Sequence, residues 1–119
     1  MTPKSITLEP FTEGDGFPGI PLVTITVGPT GGPYAPPASA LALVTMRFSK
    51  ADGTAEVVEL SSATDKIEIT DDAGWIFSVP KQVVPGLTAG RWNWRIRCTD
   101  ATGMPDTYLA GQVNVLETV

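Results

Sequence analysis

An all-β fold, an antiparallel sandwich of seven or eight short strands, is what three features of this sequence predict. Apolar residues recur at every second position in one segment after another, the period of a strand with one buried face. Eleven prolines and twelve glycines in 119 residues cluster between those segments, where turns belong. The three-and-four spacing of an amphipathic helix is almost absent.

Each strand follows from its own pattern. "SITLE" (5–9) alternates weakly and predicts a short edge strand or an arm within residues 1–13. "IPLVTITV" (20–27) sets Val23, Ile25 and Val27 apart from Leu22. "ALALVTMRFS" (40–49) opposes Val44, Met46 and Phe48 to Thr45, Arg47 and Ser49. Asp52-Gly53 then marks a hairpin turn, and "AEVVELS" (55–61) returns as its partner. "KIEIT" (66–70) places Ile67 and Ile69 on one face, and "WIFSVP" (75–80) does the same with Trp75, Phe77 and Val79. "KQVVPGLTAG" (81–90) predicts a loop with at most one helical turn, because Pro85-Gly86 stops anything longer. "GRWNWRIRCTD" (90–100) and "TYLAGQVNVL" (107–116) close the series, the latter with Leu109, Val113 and Val115 inward.

The length is that of one domain, 1–119, large enough to hold a core without metals or bridges. Strands at this spacing predict an immunoglobulin-like sandwich, although the paired cysteines of antibody domains are missing. Cys98 stands alone and reads as an inert core residue. One segment breaks the short-turn rule. "GPTGGPYAPP" (28–37) is too long and too rich in proline for a hairpin. It predicts either a surface crossover between sheets or a semi-rigid arm that carries Tyr34 to a neighbouring subunit.

Charge and composition exclude several functions. A net charge of −5 disfavours nucleic acid, which requires a positive surface. The absence of histidine removes the most frequent general base and metal ligand, and no serine or glycine motif fits a nucleophile elbow or a phosphate loop. No enzyme activity and no cofactor are therefore expected. "EGDG", "TDDAG" and "CTDATG" offer oxygen ligands, but they lack calcium-loop spacing and turn chemistry accounts for them, so no metal is expected. "MTPKSITLEP" has no apolar run for a signal peptide, and no segment approaches the ~20 apolar residues of a membrane span. Synthesis and folding in a cytosol, with no membrane partner, are the expectation.

The strongest functional feature is the run at 90–100. Trp92, Trp94, Ile96 and Cys98 occupy even positions and read as core. Arg91, Arg95 and Arg97, three of the four arginines in the chain, share the opposite face. They either pair with cross-strand carboxylates such as Glu59 or Glu68, or dock against an acidic neighbour. Tyr34, Arg91, Arg95 and Arg97 are the candidate interface residues. A sugar-binding surface would instead use exposed aromatics, for which Tyr34 and Tyr108 are the remaining candidates once parity buries Trp75 and Trp92.

The order of motifs carries a resemblance. "EGDGFP" precedes the strand "LVTITV". "VTMRFSKADGT", "IEITDDAGWIFSVP", "LTAGRWNWRIRCTDATG" and the closing "LAGQVNV" follow. From about Gly14 to Leu116 this resembles the small immunoglobulin-like domains of tailed-phage virions, including the N-terminal domain of upper baseplate proteins. "YAPPASA" departs from the family's usual entry to the second strand. The resemblance implies a non-enzymatic, multi-copy virion component, made in the bacterial cytoplasm. It would sit in the tail, baseplate, neck or fibre base, or decorate the capsid. Its partners would be other virion proteins and copies of itself in a homo-oligomer. The competing expectation is a carbohydrate- or receptor-binding module that holds a host surface glycan near Tyr34.

Overall fold

A computed structural model describes residues 4–8, 10–26, 37, 39–52 and 56–117. Tyr34 and nearly all of the 28–37 loop lie outside the described residues, so the choice between crossover and arm is not addressed there. The described strands are β1 (Lys4–Thr7), β2 (Phe11–Thr12), β3 (Ile20–Thr24), β4 (Leu41–Lys50), β5 (Val57–Ser61), β6 (Glu68–Asp71), β7 (Ile76–Val79), β8 (Gly90–Asp100) and β9 (Pro105–Leu116). All eight predicted segments contain a strand, and the two-residue β2 is added. The 81–90 segment is a loop without a helical turn, within the expected limit of one, and a single 3-10 turn forms at Ser62–Thr64. Ser61 caps it, its hydroxyl accepting from the Ala63 N–H at 3.1 Å, as short polar residues do at helix starts.

Two sheets form. The larger runs β1-β9-β8-β4-β5, with β2 also pairing β9, and the smaller runs β3-β7-β6. The expected antiparallel pairing holds except at one edge: β1 and β2 run parallel to β9, against residues 109–112 and 115–116. The N-terminal segment is thus an edge strand over Lys4–Thr7.

Alternation fixes which side chains meet between the sheets. Val44, Met46 and Phe48 of β4, Trp92, Trp94, Ile96 and Cys98 of β8, and Val113 and Val115 of β9 point inward. They share one core with Val23, Ile25, Phe77 and Val79 from the side of the smaller sheet. Phe17 packs edge-on to Phe48 at 5.6 Å and to Phe11 at 5.5 Å, both of the larger sheet, a geometry that ring quadrupoles favour. No polar or charged residue among those described is buried. The chain is an all-β, sandwich-like fold with a single apolar core.

Two local devices shape the layers. β9 carries a bulge: Arg97 faces Thr107 while Ile96 faces Leu109, leaving Tyr108 as the extra residue. The bulge puts Thr107 on the outer face and Leu109 in the core although both numbers are odd. Trp75 enters β7 with φ 55°, a costly left-handed conformation for a bulky residue. It is held there by its indole N–H, which donates to the Ser39 carbonyl at 2.7 Å. Its own carbonyl accepts from the Ile25 N–H at 3.0 Å.

Candidate functional site

The outer face of the larger sheet is a grid set by strand register. Its central row runs Glu59–Arg47–Arg95–Ala110 across β5, β4, β8 and β9. On one side lies the row Ser61–Thr45–Arg97–Thr107, and on the other Val57–Ser49–Asn93–Gln112. Arg91, opposite Asn114, stands beyond. All four arginines of the chain therefore project from one exposed sheet face.

Sequence reasoning placed Arg91, Arg95 and Arg97 together, and the register agrees. It missed that Arg47 joins them. The parity of β4 already put Arg47 outward, but the adjacency of β4 and β8, some fifty residues apart in the chain, is not a local property. Of the two carboxylates expected to neutralise the row, Glu68 lies on β6 in the other sheet. Glu59 stands directly opposite Arg47 yet forms no ion pair with it. Lys50 and Glu56 form an ion pair at 3.3 Å, and among the described residues none of the four arginine side chains makes a hydrogen bond or ion pair.

The surface between these side chains is not flat. A shallow open depression of about 740 Å³ is lined by Arg47, Arg95, Asn93, Gln112 and the half-exposed Val57, among others. A smaller indentation of about 40 Å³ gathers Arg47, Arg95, Arg97 and Glu59. Gln112 donates its amide to the Asn93 side-chain oxygen at 3.2 Å, which orders the polar flank. Directly opposed positions on adjacent strands hold their Cβ atoms only ~4.5–5.5 Å apart. Two unit charges 4 Å apart in water repel by about 1 kcal/mol, so the core tolerates this clustering. An anionic surface laid on the face would relieve it.

The remaining chemistry-bearing groups are occupied elsewhere. Burial, and secondarily the charge of Asp106, pushes the Cys98 thiol up to about 12, so it is neutral and unreactive at physiological pH. The three acidic loops serve the backbone. The Glu13 carboxylate accepts from the Ala89 N–H at 2.6 Å. Asp71 accepts from Gly74, and Asp72 from Ala73. Asp100 accepts from the backbone N–H groups of Thr102 and Met104 and from the Thr102 hydroxyl. Among the described residues no cluster of three His, Cys, Asp or Glu side chains is placed to hold a metal ion. Tyr108 is half-buried with its ring edge-on to the buried Trp75 at 5.7 Å, so it offers no flat exposed platform. No family model matches the chain, and neither a curated protein nor a solved structure matches it.

Proposed function

We propose that this chain is a non-enzymatic structural protein of a tailed-phage particle, present in many copies and working through protein–protein contact. The contact role is carried by the four-arginine face, whose one carboxylate, Glu59, forms no ion pair with any of them. Arginine is the cation best suited to such a role, because its planar fork binds carboxylates bidentately and sheds water more readily than an ammonium group. Arginines are enriched at the centres of protein interfaces for that reason.

The particle assignment rests on the order of motifs, and the fold supports it. The sheet orders β3-β7-β6 and β9-β8-β4-β5, with β1 at the edge, are compatible with an immunoglobulin-like sandwich of the variable type. The motif positions also have structural jobs. "EGDGFP" places Glu13 on the Ala89 amide and Phe17 in the core. "LTAGRWNW" places Leu87, Trp92 and Trp94 in the core, with Gly90 at φ +136° between them.

Quantitative mass spectrometry of purified particles tests this reading. The chain should be present in a fixed, multi-copy ratio to the major structural proteins, and Arg95→Glu should lower its incorporation. Its absence from particles would overturn the proposal.

A further inference from the structure

The chain carries a second surface of opposite character. Asp65, Glu68, Asp71 and Asp72 are all exposed along β6 and its flanking turns, with Lys66 the one cation in that stretch. β6 is the outer strand of the smaller sheet, with β7 as its partner. Beside it runs an open groove of about 530 Å³, with Leu43, Ile69 and Pro80 among its walls and Asp65 and Glu68 at its edge. Asp71 and Asp72 each accept a turn hydrogen bond. The side chains of Asp65 and Glu68 accept none among the described residues.

We propose that the arginine face of one copy docks on this acid-rimmed groove of a second copy. The inference rests on reading the arginine face as a protein-contact surface. The two surfaces match in charge, four arginines with Glu59 against four carboxylates with Lys66. They also match in chemistry. An arginine lays its apolar stem along apolar walls and delivers its fork to carboxylates at the rim. Charge also bears on the symmetry. Two arginine faces repel each other, so charge disfavours a two-fold dimer through the larger sheet. The paired surfaces are different patches of the same molecule, so the contact is head-to-tail and propagates into a ring or an open filament. Copies with a net charge of −5 repel on average, so association depends on the arginine–carboxylate attraction of this one orientation, which salt screens.

Sedimentation velocity on the purified protein tests this. At low salt the wild type should form species larger than a monomer, and these should dissociate at roughly 0.5 M salt, where the screening length falls to about 4–5 Å. Arg95→Glu and Glu68→Arg should each weaken self-association roughly 30-fold or more. Both positions are exposed, and matched melting temperatures verify folding; Arg97→Glu serves if Arg95→Glu fails that control. An equimolar mixture of the two variants should restore association, because each supplies the surface that the other has lost. A monomeric wild type at low salt, or a mixture that does not associate, would overturn the inference. If such a wild type is nevertheless lost from particles on Arg95→Glu substitution, the partner is a different acidic protein and the proposed function stands.

Discussion

Arg47 and Arg95 stand directly opposite each other on adjacent antiparallel strands, and neither side chain forms an ion pair with a carboxylate among the described residues. Opposed like charges destabilise a sheet where an opposite pair would contribute ~0.2–1 kcal/mol. The arrangement is thus one that folding alone does not favour. Arg95→Glu should raise the melting temperature slightly at low salt, because it sets a carboxylate opposite Arg47, and the gain should vanish at high salt. The same substitution should reduce assembly. Stability and assembly moving in opposite directions is the signature of a face kept for contact.

The core predicts a second result. Trp75, Trp92 and Trp94 are each no more than 2% exposed, so iodide should quench the native fluorescence only weakly. Trp94→Ala should cost ~3–5 kcal/mol, a large share of the ~5–15 kcal/mol that holds a typical domain folded. Its indole N–H is buried without a hydrogen-bond partner, so Trp94→Phe should be far milder than Trp94→Ala. Chemical denaturation measures both.

Gly19 gives a third. It has φ +81°, and a Cβ there would collide with the Val79 carbonyl oxygen and lie 2.9 Å from the Pro80 carbonyl carbon. Both obstacles are backbone, so nothing can rotate aside. Left-handed strain alone costs ~1–3 kcal/mol, and the clash adds to it. Gly19→Ala should therefore lower the denaturation midpoint clearly. Gly103→Ala, also at positive φ but with open space around it, should do so less.

Asp100 supplies a pH dependence. The Thr102 hydroxyl first, and the Met104 backbone N–H after it, hold its carboxyl below the usual carboxylate range. A carboxyl depressed in the folded state stabilises that state above its unfolded pKa, and the contribution is lost as pH falls through the folded value. The turn joining β8 and β9 should therefore loosen in acid, below about 3.9. Protection of the Thr102 and Met104 amides, measured against the intrinsic exchange rate at each pH, should fall there in the wild type. In Asp100→Asn that protection should be low at all pH values and no longer respond to acid.

Much of this was legible in the sequence because alternation is a local property. Val44, Met46 and Phe48 of β4 and Trp92, Trp94, Ile96 and Cys98 of β8 could be assigned to the core without knowing what they pack against. The arginine row followed from the same parity. Arg47 did not join it on paper, because membership depends on which strands become neighbours, and that is decided by packing across the whole chain. The acid-rimmed groove was hidden for the same reason: Leu43 and Glu68 meet only once both sheets are in place. Parallel pairing of β1 with β9 left no local mark, and neither did the left-handed Trp75, whose conformation is imposed by its contacts with Ser39 and Ile25.

The most direct test of the contact role is the density for this chain in purified particles, refined with the symmetry of the assembly. Several symmetry-related copies are expected, with Arg47, Arg95 and Arg97 buried against carboxylates of a neighbouring chain. Particles in which the chain is present with that face open to solvent, or from which it is missing, would contradict the contact role.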